Sequence, residues 1–359
     1  MKKILILANS SSGLYDFRNE LVEDLLKKYE VTVSLPDDVK TDKLADEGCK
    51  VVHTPINRRG VNPFEDIKLV MSYLKLLKCT KPDLVLTYTI KPNIYGGLCC
   101  RIKNIPYIET ITGLGSTFQR NGIFLKLIVH LYRIGLKKAS CIFFQNKENM
   151  EVFERHHIKG KASRLVSGSG VNLEYHAAKP YPEGGRTVFL YIGRIMREKG
   201  IEELLEAARA LHDENTEFQL LGYCDEDYKE KLDECEKNGW ITQLGFDTDV
   251  RSHLCRASAV VLPTYHEGMS NVLMEASATA RPVIATSISG CREIFDEGIT
   301  GFGCKPKSSD DLMKAIKKFL KLSVEERAMM GKKAREKMER EFDRRRVVNA
   351  YMEEINSIL

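Results

Sequence analysis

Ala259-Val-Val-Leu-Pro-Thr-Tyr-His-Glu-Gly-Met-Ser-Asn-Val-Leu-Met-Glu275 passes from a short apolar run, through a loop, into a helical pattern. The run 259–263 is too short for a helix and reads as a strand buried on both faces, the form strands take in parallel sheets. Ser270 or Asn271 supplies a helix N-cap. The same unit, apolar run followed by longer helical pattern, recurs along the chain. Candidate strands fall at 4–8, 31–35, 50–53, 84–88, 107–111, 141–145 and 164–167, and again at 187–192, 218–221, 241–244, 259–263 and 282–286. Two such series predict an α/β protein with two parallel sheets flanked by helices.

A chain of 359 residues, 43% hydrophobic and 29% charged, is long enough for about two globular domains. The Pro- and Gly-rich stretch 179–186 is the candidate linker, which gives domains 1–178 and 179–343. The last forty or so residues read as helical, with a break at Phe342-Asp343. The final segment, 344–359, is expected to pack back on the first domain. No apolar stretch approaches the ~18 residues that span a bilayer, and the opening Met1-Lys-Lys-Ile-Leu-Ile-Leu-Ala8 reads as a first strand, so a cytoplasmic location is expected. Ten cysteines without a Cys-x-x-Cys pair fit reduced thiols.

The net charge of +5 is unevenly placed. Residues 1–178 carry 27 Lys+Arg against 18 Asp+Glu, and the rest carry 28 against 32. The first half is therefore basic, as a partner of anionic lipid or a phosphorylated substrate would be; no nucleic-acid-binding motif accompanies the charge. Two segments, 123–138 and 64–81, combine apolar residues with lysines, and each reads either as a core-packed helix or as a helix lying on an anionic bilayer.

Glu267 and Glu275 stand on either side of the capped helix start, with ~7.5 Å of helix rise between Ser270 and Glu275. The helix N-terminus favours phosphate, and each carboxylate accepts hydrogen bonds from one ring's hydroxyls. Two hydroxylated rings joined by a diphosphate match that layout, and a nucleotide sugar is such a molecule. Gly193-Arg194-Ile-Met-Arg197-Glu-Lys199-Gly200 ends the strand 187–192 and precedes a helix over 201–211. Its guanidinium and ammonium suit a diphosphate, and the bland alternative is a solvated basic loop. In the first half, Asn9-Ser-Ser-Ser-Gly13 precedes a helical pattern beginning near Tyr15; Gly13 either admits a phosphate or merely permits a turn. No P-loop sequence occurs. Asp225-Glu-Asp227 and Asp247-Thr-Asp249 could bind a divalent ion, but each opens a helical pattern and reads as capping. No metal and no cofactor are expected.

With these motifs on view, the chain resembles the retaining glycosyltransferases of family 4, which have the GT-B architecture: two Rossmann-like, doubly wound parallel-sheet domains with a cleft between them. The resemblance rests on the Gly-Arg…Glu-Lys-Gly loop, Leu221-Gly222, Pro263-Thr-Tyr-His-Glu-Gly268, the glutamate pair, and Gly290 with Gly298-x-x-Gly301. Segments 9–18, 88–96, 112–116 and 168–172 resemble the branch that builds bacterial surface polysaccharides on polyprenyl-diphosphate carriers. The resemblance implies a UDP-sugar donor, with Arg194 and Lys199 stabilising the departing diphosphate. Glu275 would accept the ribose hydroxyls and Glu267 would lie by the transferred sugar. Gly193, Gly268, Met269, Ser270 and Asn271 complete that face, Gly13 approaches it from the first domain, and Gly222 and Phe246 lie near the base. Arg18, Tyr88, Lys91 and Thr112 would meet a lipid-linked saccharide acceptor. Where many relatives carry a histidine near the sugar, this chain has Thr112-Gly113. Two alternatives remain at this stage: a nucleotide-sugar epimerase with the same paired sheets, and a non-catalytic nucleotide-sugar-binding scaffold.

Overall fold

The computed structural model describes residues 1–36, 39–57, 62–114, 118 and 122–359. It divides into two compact units, Met1–Ser169 with Arg345–Leu359, and Gly170–Arg344. The first unit holds seven strands: β1 (Lys3–Leu7), β2 (Glu30–Leu35), β3 (Lys50–His53), β4 (Leu84–Tyr88), β5 (Tyr107–Ile111), β6 (Cys141–Phe144) and β7 (Ser163–Leu165). All pair in parallel, in the order β3-β2-β1-β4-β5-β6-β7.

Side chains alternate across a strand, so β1 feeds two cores at once. Ile4, Ile6 and Ala8 join one cluster with the helices Ser11–Leu26 and Arg344–Ile358. Leu5 and Leu7 join another with the helices Pro63–Thr80, Gly97–Lys103 and Ile123–Leu136. Each fully buried Leu or Ile contributes ~1.5–3 kcal/mol, which explains why these short runs are apolar without interruption. The C-terminal helix is pinned by Tyr351, whose ring stacks on Phe143 at 4.0 Å and whose hydroxyl shares a 2.6 Å hydrogen bond with Thr110 Oγ1.

The second unit holds β8 (Thr187–Ile192), β9 (Thr216–Leu221), β10 (Thr242–Gly245), β11 (Ala259–Leu262), β12 (Val283–Thr286) and β13 (Gly301–Cys304). They are parallel, in the order β10-β9-β8-β11-β12-β13. The edge strand β13 has no counterpart among the apolar runs read from sequence, because Gly301-Phe-Gly-Cys304 is half glycine and lacks strand propensity. Its glycines are needed: a Cβ on Gly301 would lie 2.3 Å from the Val283 carbonyl oxygen.

The stretch 179–186 belongs to the second unit, where the buried Arg281 holds the carbonyls of Lys179 and Pro180. In that sheet the chain runs from β8 outward through β9 and β10, then returns to β11 on the opposite side of β8. The loops that follow β8 and β11 therefore leave the same edge at the point where strand order reverses, which is where open parallel sheets bind ligands.

Candidate active site

Ser270 caps the helix Asn271–Ala278, its Oγ accepting from the Leu273 amide at 3.4 Å. The Ser270 amide donates to the Gly290 carbonyl at 2.8 Å, tying the β11 loop to the β12 loop. Met269 and Ser270 are buried, whereas Glu267, Gly268, Asn271 and Glu275 are partly open. On the other side of the switch point, a 3-10 turn at Arg197–Lys199 leads through Gly200 into the helix Ile201–Leu211. Gly200 has φ +72°, and a Cβ there would sit 2.0 Å from the Pro263 carbonyl oxygen. Only glycine allows the two loops to approach this closely.

That approach brings Lys199 Nζ to 2.5 Å from Glu267 Oε1, with the side chains 21% and 15% exposed. The loops are further joined by the Tyr265 amide on the Glu198 carbonyl, at 2.9 Å, and by His266 Nε2 at 3.3 Å from Glu198 Oε2. Tyr265 donates its hydroxyl to Glu203 Oε1 at 2.8 Å; burial, reinforced by that bond, pushes the phenol up to about 12. Burial, and after it the nearby Glu267 carboxylate, also push up the Tyr191 hydroxyl and the Cys291 thiol.

Arg194 stands at the end of β8 next to Gly193. Its carbonyl accepts from the Tyr191 hydroxyl at 2.7 Å, and its Nη1 lies 2.7 Å from Asp225 Oδ2. Gly222 follows β9 and packs against the Gly193 carbonyl, leaving no room for a side chain. Beyond them, Tyr223 and Phe246 expose half or more of their surface and meet edge to face, with ring centroids 5.8 Å apart. Among the residues expected on the donor side, Gly193, Arg194, Lys199, Gly222, Phe246, Glu267, Gly268, Met269, Ser270, Asn271 and Glu275 thus lie in the loops and helix start that follow β8 to β11 in one sheet.

Three participants escaped the sequence reading. Asp225 looked like a helix-opening acid but binds Arg194. Tyr223 gave a usable signal, an aromatic directly after a glycine at a strand end. His266 stood inside the Pro263–Gly268 motif without a role, and its link to Glu198 could not be read because it spans 68 positions. The Asp-x-Asp strings have internal partners: Asp247 accepts from the Asp249 amide and faces His253, and Asp249 holds Arg251. Among the described residues, no group of three or more His, Cys, Asp or Glu could hold a metal ion.

In the first unit, the helix after β1 begins at Ser11, four residues before the expected start, because Ser10 serves as its cap. Gly13 consequently lies inside the first turn, its amide donating to Ser10 Oγ at 3.2 Å, rather than in the preceding loop. Arg18 Nη1 donates to the Gly13 carbonyl at 3.1 Å, and its guanidinium lies 4.5 Å from the Tyr88 ring centre. Burial pushes the Tyr88 hydroxyl up to about 12. Gly13, Arg18 and Tyr88 are therefore neighbours. Lys91 is held 2.7 Å from Asp66, which also accepts from the Tyr95 hydroxyl at 2.8 Å. Thr112 directly follows β5, and residues 115 and 116 of its motif lie outside the described residues.

A family model described as glycosyl transferase 4-like matches residues 3–146, and one described as glycosyl transferases group 1 matches residues 174–337. An N,N'-diacetylbacillosaminyl-diphospho-undecaprenol alpha-1,3-N-acetylgalactosaminyltransferase from Campylobacter jejuni is 28% identical over 332 residues, covering 88% of this chain and 88% of the relative. A UDP-Gal:alpha-D-GlcNAc-diphosphoundecaprenol alpha-1,3-galactosyltransferase from Escherichia coli is 25% identical over 300 residues, covering 77% and 76%. Among solved structures, HepE from Anabaena in complex with UDP matches with a TM-score of 0.79 at 19% identity over 100% of both chains. Two family models that divide most of the sequence between them, on two parallel-sheet units, make this chain a glycosyltransferase of family 4 with the GT-B fold.

Proposed function

We propose that the chain transfers a hexose or N-acetylhexosamine from a UDP-sugar to a saccharide carried on a polyprenyl diphosphate, with retention and without a metal ion, in bacterial glycan biosynthesis. The observation that carries this reading is the pairing of the β8 and β11 loops, which sets Arg194, Lys199 and Glu267 at one sheet edge beside a capped helix start. A diphosphate leaving group needs cations and oriented amides where its charge grows, and preorganised donors of this kind often supply the largest share of catalysis. On binding, the diphosphate takes Lys199 from Glu267, which frees that carboxylate for the transferred sugar. Glu275, one helical turn further on, accepts the ribose hydroxyls, and Tyr223 with Phe246 offers aromatic faces to the base. The departing phosphate helps deprotonate the acceptor, so no carboxylate nucleophile is required. The internal partners of both Asp-x-Asp strings favour a metal-independent mechanism.

A lipid-linked acceptor is favoured by the printed activities of the Campylobacter and Escherichia relatives. No helix among the described residues is long and apolar enough to cross a membrane. The helix Pro63–Thr80, however, exposes Phe64, Ile67 and Met71 on the same stripe as Lys68, Lys75 and Lys78. The helix Ile123–Leu136 spends its apolar face on the core and leaves only Ile123 and Leu127 exposed among its large apolar residues. Pro63–Thr80 is thus the better candidate for contact with an anionic cytosolic leaflet, in the unit that carries the acceptor candidates Arg18, Lys91 and Thr112. Tyr88, 2% exposed, lies buried beneath the Arg18 guanidinium and supports it rather than facing an acceptor.

The test is incubation with a panel of UDP-sugars and an undecaprenyl-diphosphate-linked saccharide, with mass analysis of the glycolipid and assignment of the new anomeric centre. An α-linked product from an α-donor, formed in EDTA and lost in Glu267→Ala, is expected. Turnover no higher than in that variant, despite UDP binding, refutes the reading.

A further inference from the structure

Asp225 lies in the loop after β9, outside the residues that the family motifs mark. The pairing of β8 with β9 continues past both strand ends. The Ile195 amide donates to the Tyr223 carbonyl at 2.9 Å, the Asp225 amide donates back to the Ile195 carbonyl at 3.1 Å, and Ile195 and Cys224 form an isolated parallel bridge. Glu226 Oε2 accepts from the Arg197 amide at 2.9 Å, fastening the other end of the same loop. This backbone ladder delivers the Asp225 carboxylate, 17% exposed, to Nη1 of Arg194, which is 39% exposed.

We infer that Asp225 is a positioning residue that acts through Arg194: it holds one edge of the guanidinium and leaves the other to grip the diphosphate of the donor. The inference rests on the donor reading above. A guanidinium carries five donors in a fixed fork, so one carboxylate contact at Nη1 sets the plane of the group while Nε and Nη2 remain for a bidentate phosphate contact. A long side chain anchored at both ends arrives already ordered. Tyr191 holds the Arg194 backbone and Asp225 holds the head group, so the ordering cost is met before the substrate binds. The carboxylate has an opposing effect, since it repels the incoming diphosphate. Orientation gained in the transition state at some expense in ground-state affinity is the signature to look for.

The test compares Asp225→Ala and Asp225→Asn, alone and in an Arg194→Ala background, using UDP-sugar turnover with the lipid-linked acceptor and UDP binding by calorimetry. Asp225→Ala should lower kcat about tenfold while donor KM stays within about threefold, and Asp225→Asn, which keeps an acceptor oxygen, should return kcat to within about threefold of wild type. In Arg194→Ala, adding Asp225→Ala should change nothing further. Wild-type kcat in Asp225→Ala, equal damage in both Asp225 variants, or additive losses in the Arg194→Ala background overturns the inference while leaving the donor reading intact. Absence of UDP binding by the wild-type protein overturns both. An unchanged thermal midpoint in each variant separates lost orientation from lost folding.

Discussion

Arg281 offers the most direct test of how the second unit is held together. Its side chain is fully buried and touches six carbonyl oxygens: Nε on Leu254 at 2.9 Å, Nη1 on Lys179, Thr279 and Ala280 at 3.0–3.3 Å, and Nη2 on Pro180 and Cys255 at 2.7 and 3.0 Å. No carboxylate is among these contacts; backbone dipoles balance the charge, with the Tyr181 ring centre 5.9 Å from the guanidinium carbon. Arg281→Met keeps much of the volume and removes every donor. The Leu254 and Thr279 carbonyls keep the amides of Ala257 and Lys179 as donors, so four carbonyls, those of Lys179, Pro180, Cys255 and Ala280, are left unpaired among the described residues, at ~1–3 kcal/mol each. Set against that, methionine removes the several kcal/mol needed to desolvate a guanidinium. The balance is a loss of ~4 kcal/mol, near the top of the range for single substitutions.

Trp240, the only tryptophan of the chain, lies in this unit beneath the Arg209 guanidinium, 5.0 Å from its ring centre, and reports unfolding by fluorescence. With a urea slope of ~2 kcal/mol per molar, the midpoint should fall by ~2 M. Arg281→Lys, which lacks the fork, should lie between the two. A midpoint shift below ~0.5 M for Arg281→Met would show that water or relaxed backbone satisfies the carbonyls, and the assignment of Arg281 as a clamp would fail.

Four further outcomes are expected. Lys199→Ala should lower kcat ~10²- to 10³-fold in the UDP-sugar assay with little change in the Trp240 midpoint, as loss of a preorganised charge on a leaving group does. Gly200→Ala forces a Cβ onto the Pro263 carbonyl at φ +72° and should destabilise the second unit by ~2–4 kcal/mol, read by the same fluorescence transition. Glu109 on β5 is fully buried, neither of its oxygens has a hydrogen-bond partner among the described residues, and burial holds its pKa well above the carboxylate range. Its contribution is fully present below the unfolded value of ~4.3 and is lost as pH rises through the folded value, at ~1.4 kcal/mol per pH unit within that window. Hydrogen exchange of the β5 amides should therefore show a first unit that weakens with rising pH, and Glu109→Gln should flatten that slope; equal slopes would exclude a protonated Glu109. Replacing Phe64, Ile67 and Met71 together by Ser should weaken co-flotation with anionic vesicles at least tenfold while leaving neutral vesicles unbound, given ~1.5–3 kcal/mol for each large apolar side chain fully removed from water.

Local patterns made much of this molecule readable. Parallel strands are apolar on both faces, so runs such as Ile4–Ala8 and Ala259–Leu262 stand out without any partner being known, and Ser270 marks a helix start because a cap bonds within three residues of itself. Two such series, with the Pro- and Gly-rich stretch 179–186 between them, were enough to predict paired α/β units. The Arg194 and Lys199 loop and the Glu267–Glu275 spacing were likewise visible, since each is contained in one strand-to-helix junction.

Tertiary structure decided which of these groups touch. Lys199 meets Glu267 across 68 positions and Arg194 meets Asp225 across 31, contacts created by strand order at the β8/β11 switch and by pairing that runs past the end of β9. The glycine-rich β13 is a strand only because β12 offers it an open edge, and Arg281 is a clamp only because six carbonyls from distant segments converge on it. Side-chain periodicity and capping act over a few residues and are written in the chain. Ion pairing and carbonyl clamping depend on distances of a few ångströms between remote segments, and only the folded topology sets those distances.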